Sequence, residues 1–74
     1  MMLPKHHHPH DSEWIAEQLI KLPPAYRERA TKAYSDVYER VYSSVPLRHQ
    51  KHGEARREAN TRLRKYIERV LSAR

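Results

Sequence analysis

The chain has 74 residues, with 15 Lys and Arg against 9 Asp and Glu for a formal charge of +6, no Cys and a single Gly. That length allows one small domain. The lone glycine argues against Gly-rich phosphate cradles and dinucleotide folds, and the lack of thiols excludes disulfides and thiolate zinc sites.

Residues 1–10, MMLPKHHHPH, hold two prolines and four histidines. They show no period and read as a flexible tail. They also lack the apolar stretch of a signal peptide. No uncharged apolar run anywhere in the chain approaches the roughly 20 residues that span a bilayer. The expectation is a cytoplasmic protein with no membrane partner.

A first helix is predicted over 12–22, capped by Asp11 or Ser12, with Glu13 well placed in its first turn. Trp14, Ile15, Ala16, Leu19, Ile20 and Leu22 form its apolar face. Pro23 and Pro24 stop it, and the same prolines start a second helix over 24–44. There Tyr26, Ala30, Ala33, Tyr34, Val37, Tyr38, Val41, Tyr42 and Val45 make one stripe of helical period. Pro46 ends it. Residues 46–53, PLRHQKHG, read as a loop. A third helix follows over 54–73, with the stripe Ala55, Ala59, Leu63, Tyr66, Ile67, Val70 and Leu71.

No strand signal interrupts this pattern. The expected fold is all-α: a small three-helix bundle over residues 11–74 with a flexible His/Pro-rich tail. A core of this size supplies only about 3–5 kcal/mol. Self-association is therefore expected, with Tyr34, Tyr38 and Tyr42 as the oligomer seam, most simply of a dimer.

The charge is unevenly placed. Residues 11–44 carry five bases and six acids, while residues 45–74 carry nine bases and three acids. The positive field thus arises from the last 30 residues, where a polyanion would dock. On the third helix Arg57, Asn60 and Arg64 line one edge of the apolar stripe, and Arg62, Lys65 and Arg69 line the other. Arg56 falls on the apolar side itself, either at the bundle rim or beside a carboxylate. Arginine forks suit phosphate oxygens, and asparagine can read a base edge. Arg48, Lys51, Arg56, Arg57, Asn60, Arg62, Arg64 and Lys65 are therefore the candidate nucleic-acid contacts. The plainer alternative is a solvated helix face whose long stems cover the core edge.

A second class of function also fits. An adaptor or inhibitor would dock amphipathic helices on another protein, with Trp14 as its anchor. The tail histidines have metal-binding chemistry but no fixed geometry. No nucleophile elbow, zincin motif or paired carboxylates are present. The chain is read as a non-enzyme with no cofactor and no metal.

The blocks DSEWIAEQLIKLPPAYRERATKAYSDVY and ARREANTRLRKYIE resemble small proteins of lambdoid phages and prophages, over most of residues 11–69. The resemblance implies a phage accessory protein at work in a bacterial host's cytoplasm. It brings no catalytic or binding residues with it.

Overall fold

The computed structural model describes residues 3–73. It contains three α-helices and no strand among those residues, as the hydrophobic period requires. They are α1 (Ser12–Ile20), α2 (Pro24–Ser44) and α3 (Lys51–Ser72). The two long helices form an antiparallel hairpin, and the short α1 lies across one side of it. The result is an elongated body of 41 × 23 × 16 Å. None of the helices is long and apolar enough to cross a membrane.

The core runs along the hairpin. Ile15, Leu19 and Leu22 come from the first helical segment, Ala30, Tyr34, Val37 and Tyr38 from α2, and Ala55, Ala59, Leu63 and Ile67 from α3. Trp14, Val41, Tyr42, Tyr66 and Val70 pack around it, half-buried. Alanines at the α2–α3 contact let the two backbones approach closely.

The helix ends are satisfied by cations from the next element. Arg27 donates to the carbonyls of Leu22 (2.9 Å) and Ile20 (3.2 Å) at the end of α1. Lys51 Nζ donates to the Tyr42 (2.9 Å) and Val45 (2.6 Å) carbonyls at the end of α2. A positive charge among orphan carbonyls at a helix C-terminus is favoured by both hydrogen bonding and the dipole.

Three expectations change. The loop expected over 46–53 is short, because a 3-10 turn at Arg48–Gln50 leads directly into α3 at Lys51. Gly53 is thus an interior helical residue with no positive φ.

The buried face of α2 is also rotated. Thr31 and Ser35 are buried, while Ala33 and Tyr26 are exposed. The cause is that α1 and the N-terminal segment cover the Thr31 and Ser35 edge. Both hydroxyls are accommodated: Thr31 donates to the Arg27 carbonyl at 2.7 Å, and Ser35 accepts the His6 N–H at 3.1 Å.

The tail, finally, is not free over residues 3–10. Pro4 is fully buried. His7 Nδ1 lies 2.7 Å from the Pro4 carbonyl and Nε2 lies 2.9 Å from Ser12 Oγ. A carbonyl only accepts, so Nδ1 carries the proton. His8 caps a 3-10 turn at Pro9–Asp11 by accepting the His10 N–H. Proline-restricted backbone and histidine side chains that bond locally replace the disorder expected from composition. Met1, Met2 and Arg74 lie outside the described residues.

Candidate nucleic-acid interface

The two edges of α3 have different fates. The edge with Arg57, Asn60 and Arg64 faces the side covered by α1 and its approach. Asn60 Nδ2 donates to Asp11 Oδ2 at 3.2 Å, and Asn60 Oδ1 accepts from the Tyr34 hydroxyl. Arg56, one turn earlier, holds both oxygens of Asp11 from Nε (2.8 Å) and Nη2 (3.0 Å). The guanidinium beside Asp11 keeps its carboxyl below the ordinary carboxylate value, with the Asn60 amide acting in the same direction. Burial pushes the Tyr34 phenol well above its ordinary value, so it remains a proton donor.

This network corrects three of the candidate contacts. Arg56 and Asn60 are committed to Asp11 and Tyr34, and Lys51 is committed to the end of α2. Asn60 in particular has its amide nitrogen and its carbonyl oxygen each in a bond within the protein, so it is not placed to read a base. Arg64 lies over the Trp14 ring, 5.7 Å from its centre. Arg57 pairs with Glu54 one turn back.

The proposed oligomer seam changes as well. Tyr34 and Tyr38 are buried inside a single chain, at 3% and 4% exposure, because their rings fill the hairpin under α1. Tyr38 Oη sits 2.6 Å from His52 Nδ1. Tyr42 is half-buried, stacked on Tyr38 and edge-on to His52. Trp14 is half-buried against the core and is no protruding anchor.

The other edge of α3 is bare. Glu58, Thr61, Arg62, Lys65 and Arg69 line an open groove along it. Arg62 bonds Glu58 through Nε at 2.7 Å, and this bond holds the Glu58 carboxyl below its ordinary value. Both partners remain about half exposed, and an exposed i,i+4 pair of this kind adds little to stability. A phosphate can therefore compete for Arg62. Among the described residues Lys65 and Arg48 make no ion pair.

Across the hairpin, the bare edge of α2 carries Arg29 and Arg40. They lie four residues before and seven after Ala33, and so share its side of the helix. Between the two edges is a trough of about 220 Å³. Ala30, Ala33, Ala59 and Leu63 form its apolar lining, with Tyr66 as an aromatic wall and Arg29 and Arg62 at its sides.

Sequence reasoning therefore divided α3 into the right two edges but could not choose between them. It left Arg29 and Arg40 out of the candidate contacts and placed Tyr66 only in the apolar stripe of the third helix. Their register with Ala33 and Leu63 was readable. Which edge α1 would cover was not, because that depends on the fold of residues 3–22 against the hairpin.

The tail histidines gather beside α3. His8 lies 4.6 Å from His10 and 5.1 Å from His52, ring centre to ring centre. His6 Nε2 reaches Glu39 at 3.2 Å. No group of three or more His, Cys, Asp or Glu among the described residues has the geometry to hold a metal ion. Comparison with family models, curated proteins and solved structures finds no match for this chain.

Proposed function

We propose that this chain is a non-enzymatic accessory protein that binds nucleic acid on the bare face of its α2–α3 hairpin. One observation carries the reading. Five cations (Arg29, Arg40, Arg62, Lys65 and Arg69) stand against two acids (Asp36 and Glu58) along a long hairpin face that no described segment covers. The helical rise spaces Arg62, Lys65 and Arg69 by about 4.5 and 6 Å, suited to successive backbone phosphates. On the opposite edge Arg56 is held by Asp11 and Arg64 lies over the Trp14 ring, while Arg57, in an exposed pair with Glu54, adds to the field from the other side of the hairpin.

The site is thus redrawn from the sequence expectation. Arg62 and Lys65 remain, Arg48 extends it, and Arg69, Arg29 and Arg40 join it. The phage-type resemblance of residues 11–69 is compatible with an accessory role of this kind.

Anisotropy titration of labelled oligonucleotides over about 50–200 mM salt tests the proposal. Binding that weakens steeply with salt is expected, and neutralising Arg62, Lys65 and Arg69 together to Gln flattens the slope by about 2–3. Neutralising Arg57 and Arg64 leaves the slope nearly unchanged. No binding at low salt, or equal losses from the two sets, contradicts the assignment.

A further inference from the structure

We propose that the nucleic acid held on this face is single-stranded, with one base seated in the α2–α3 trough against Tyr66. The inference rests on the proposed function and adds the class of ligand.

The trough is an unfilled apolar space between two basic edges. Alanines at positions 33 and 59 leave it open where larger side chains would have closed it. Its lining is almost entirely carbon, so water inside it finds few partners, and a flat apolar surface displaces that water favourably. Tyr66 is half-buried and held in place by its packing on the core. The Arg69 guanidinium lies 5.8 Å from the centre of its ring. A nucleotide whose base stacks on Tyr66 therefore has a cation at hand for its phosphate. A positive track with an aromatic platform is how unpaired strands are held without sequence preference.

Other occupants fit less well. A duplex keeps its bases stacked inside, so it would touch only the basic rims and leave the trough empty unless it paid for unstacking. A second copy would set this net-positive face against itself. The lining residues 59–66 of α3 cover only about 10 Å of helix. That length matches the i, i+4, i+7 row of a docked amphipathic helix, but the cations on both rims favour an anionic occupant over an apolar one.

The test is a set of anisotropy titrations at one low salt concentration. The probes are a labelled oligothymidine, the same backbone with abasic sites, a duplex of equal length and a polyglutamate peptide. The proteins are wild type, Tyr66→Phe, Tyr66→Leu and Ala33→Leu. Ala33 is exposed, so its replacement fills the trough without disturbing the core.

The expected result is oligothymidine binding at least about tenfold tighter than the duplex or the abasic strand. Tyr66→Phe should retain it, and Tyr66→Leu and Ala33→Leu should each lose about tenfold on oligothymidine but not on duplex. Equal affinity for single strand, abasic strand and duplex, unaffected by either leucine variant, overturns the base seat while leaving the basic face in place. Failure to bind any nucleic acid overturns both readings. Polyglutamate binding tighter than oligothymidine, and weakened by the leucine variants, assigns the trough to an acidic protein instead.

Discussion

Asp11 shows at the scale of one residue what a sequence does and does not disclose. Its place before an apolar helix marks it as a cap, and a helix does begin beside it. Yet it makes no capping hydrogen bond. Its carboxylate turns to Arg56 and Asn60, 45 and 49 residues away. The suspicion that Arg56 is paired was readable from its place on the apolar side, but its partner was not, since several acids were equally placed to reach it.

Removing Asp11 strands a guanidinium that is still 37% exposed, so the loss falls below that of a fully buried pair. Asp11→Ala is expected to destabilise by about 2 kcal/mol, a fall in Tm of about 10 °C by thermal melting. Asp11→Ala and Arg56→Ala combined should cost clearly less than the sum of the two single losses, since both remove the same interaction. Additive losses would show that the two side chains do not interact.

Linkage gives a second check. The Asp11 value is lowered on folding, so its contribution is fully present above its ordinary value of 3.8 and is lost as the pH falls through the folded value. Acid melting of wild type and Asp11→Ala should therefore converge as the pH falls from the ordinary value of 3.8 through the folded value.

At the scale of elements, helix identity was legible and helix context was not. The prolines at 23, 24 and 46 and the apolar period placed α2 at its observed bounds. The N-terminus of α3 was missed because Gly53 resembles a loop residue. In the structure Gly53 sits inside the helix, and nothing lies within 4 Å of where a Cβ would be. Gly53→Ala is therefore expected to stabilise by about 0.5–1 kcal/mol in chemical denaturation. A destabilisation would mean that residues 51–53 are not helical in solution.

The N-terminal segment was misread because composition alone does not register the buried Pro4 or the local bonds of His7 and His8. This segment is expected to respond to pH through His8. His8 is held below its ordinary value, first by desolvation and then by Arg56, His10 and His52, with Asp11 opposing. The sign follows from linkage: docking is undiminished above the ordinary value of 6.5 and weakens as the pH falls through it towards the folded value. Amide exchange at His6 and Asp11, corrected for intrinsic rates, should accelerate between about pH 7 and pH 5, while exchange in the middle of α3 does not. Uniform protection across that range would contradict the coupling.

At the scale of the molecule, the excess charge of residues 45–74 was legible from simple counting, but its usable portion was not. Folding divides it. The edge of α3 with Arg57, Asn60 and Arg64 meets Asp11 and Trp14, and the other stays open beside Arg29 and Arg40 of α2 except at Lys51, which holds the end of α2. The geometry of α1 decides that division, because a nine-residue helix can cover only one side of a hairpin twice its length. On the open edge Arg62 is held by its weak, exposed pair with Glu58 and Arg69 lies over the Tyr66 ring, so both remain within reach of a polyanion.

Backbone amide chemical shifts recorded while oligothymidine is added test this division most directly. The account predicts perturbations concentrated at Arg29, Ala33 and Arg40 on α2 and at Arg62, Lys65, Tyr66 and Arg69 on α3, with Trp14, Arg57 and Arg64 little moved. Perturbations centred on the Trp14 and Arg64 side, or spread evenly around the hairpin, would contradict it.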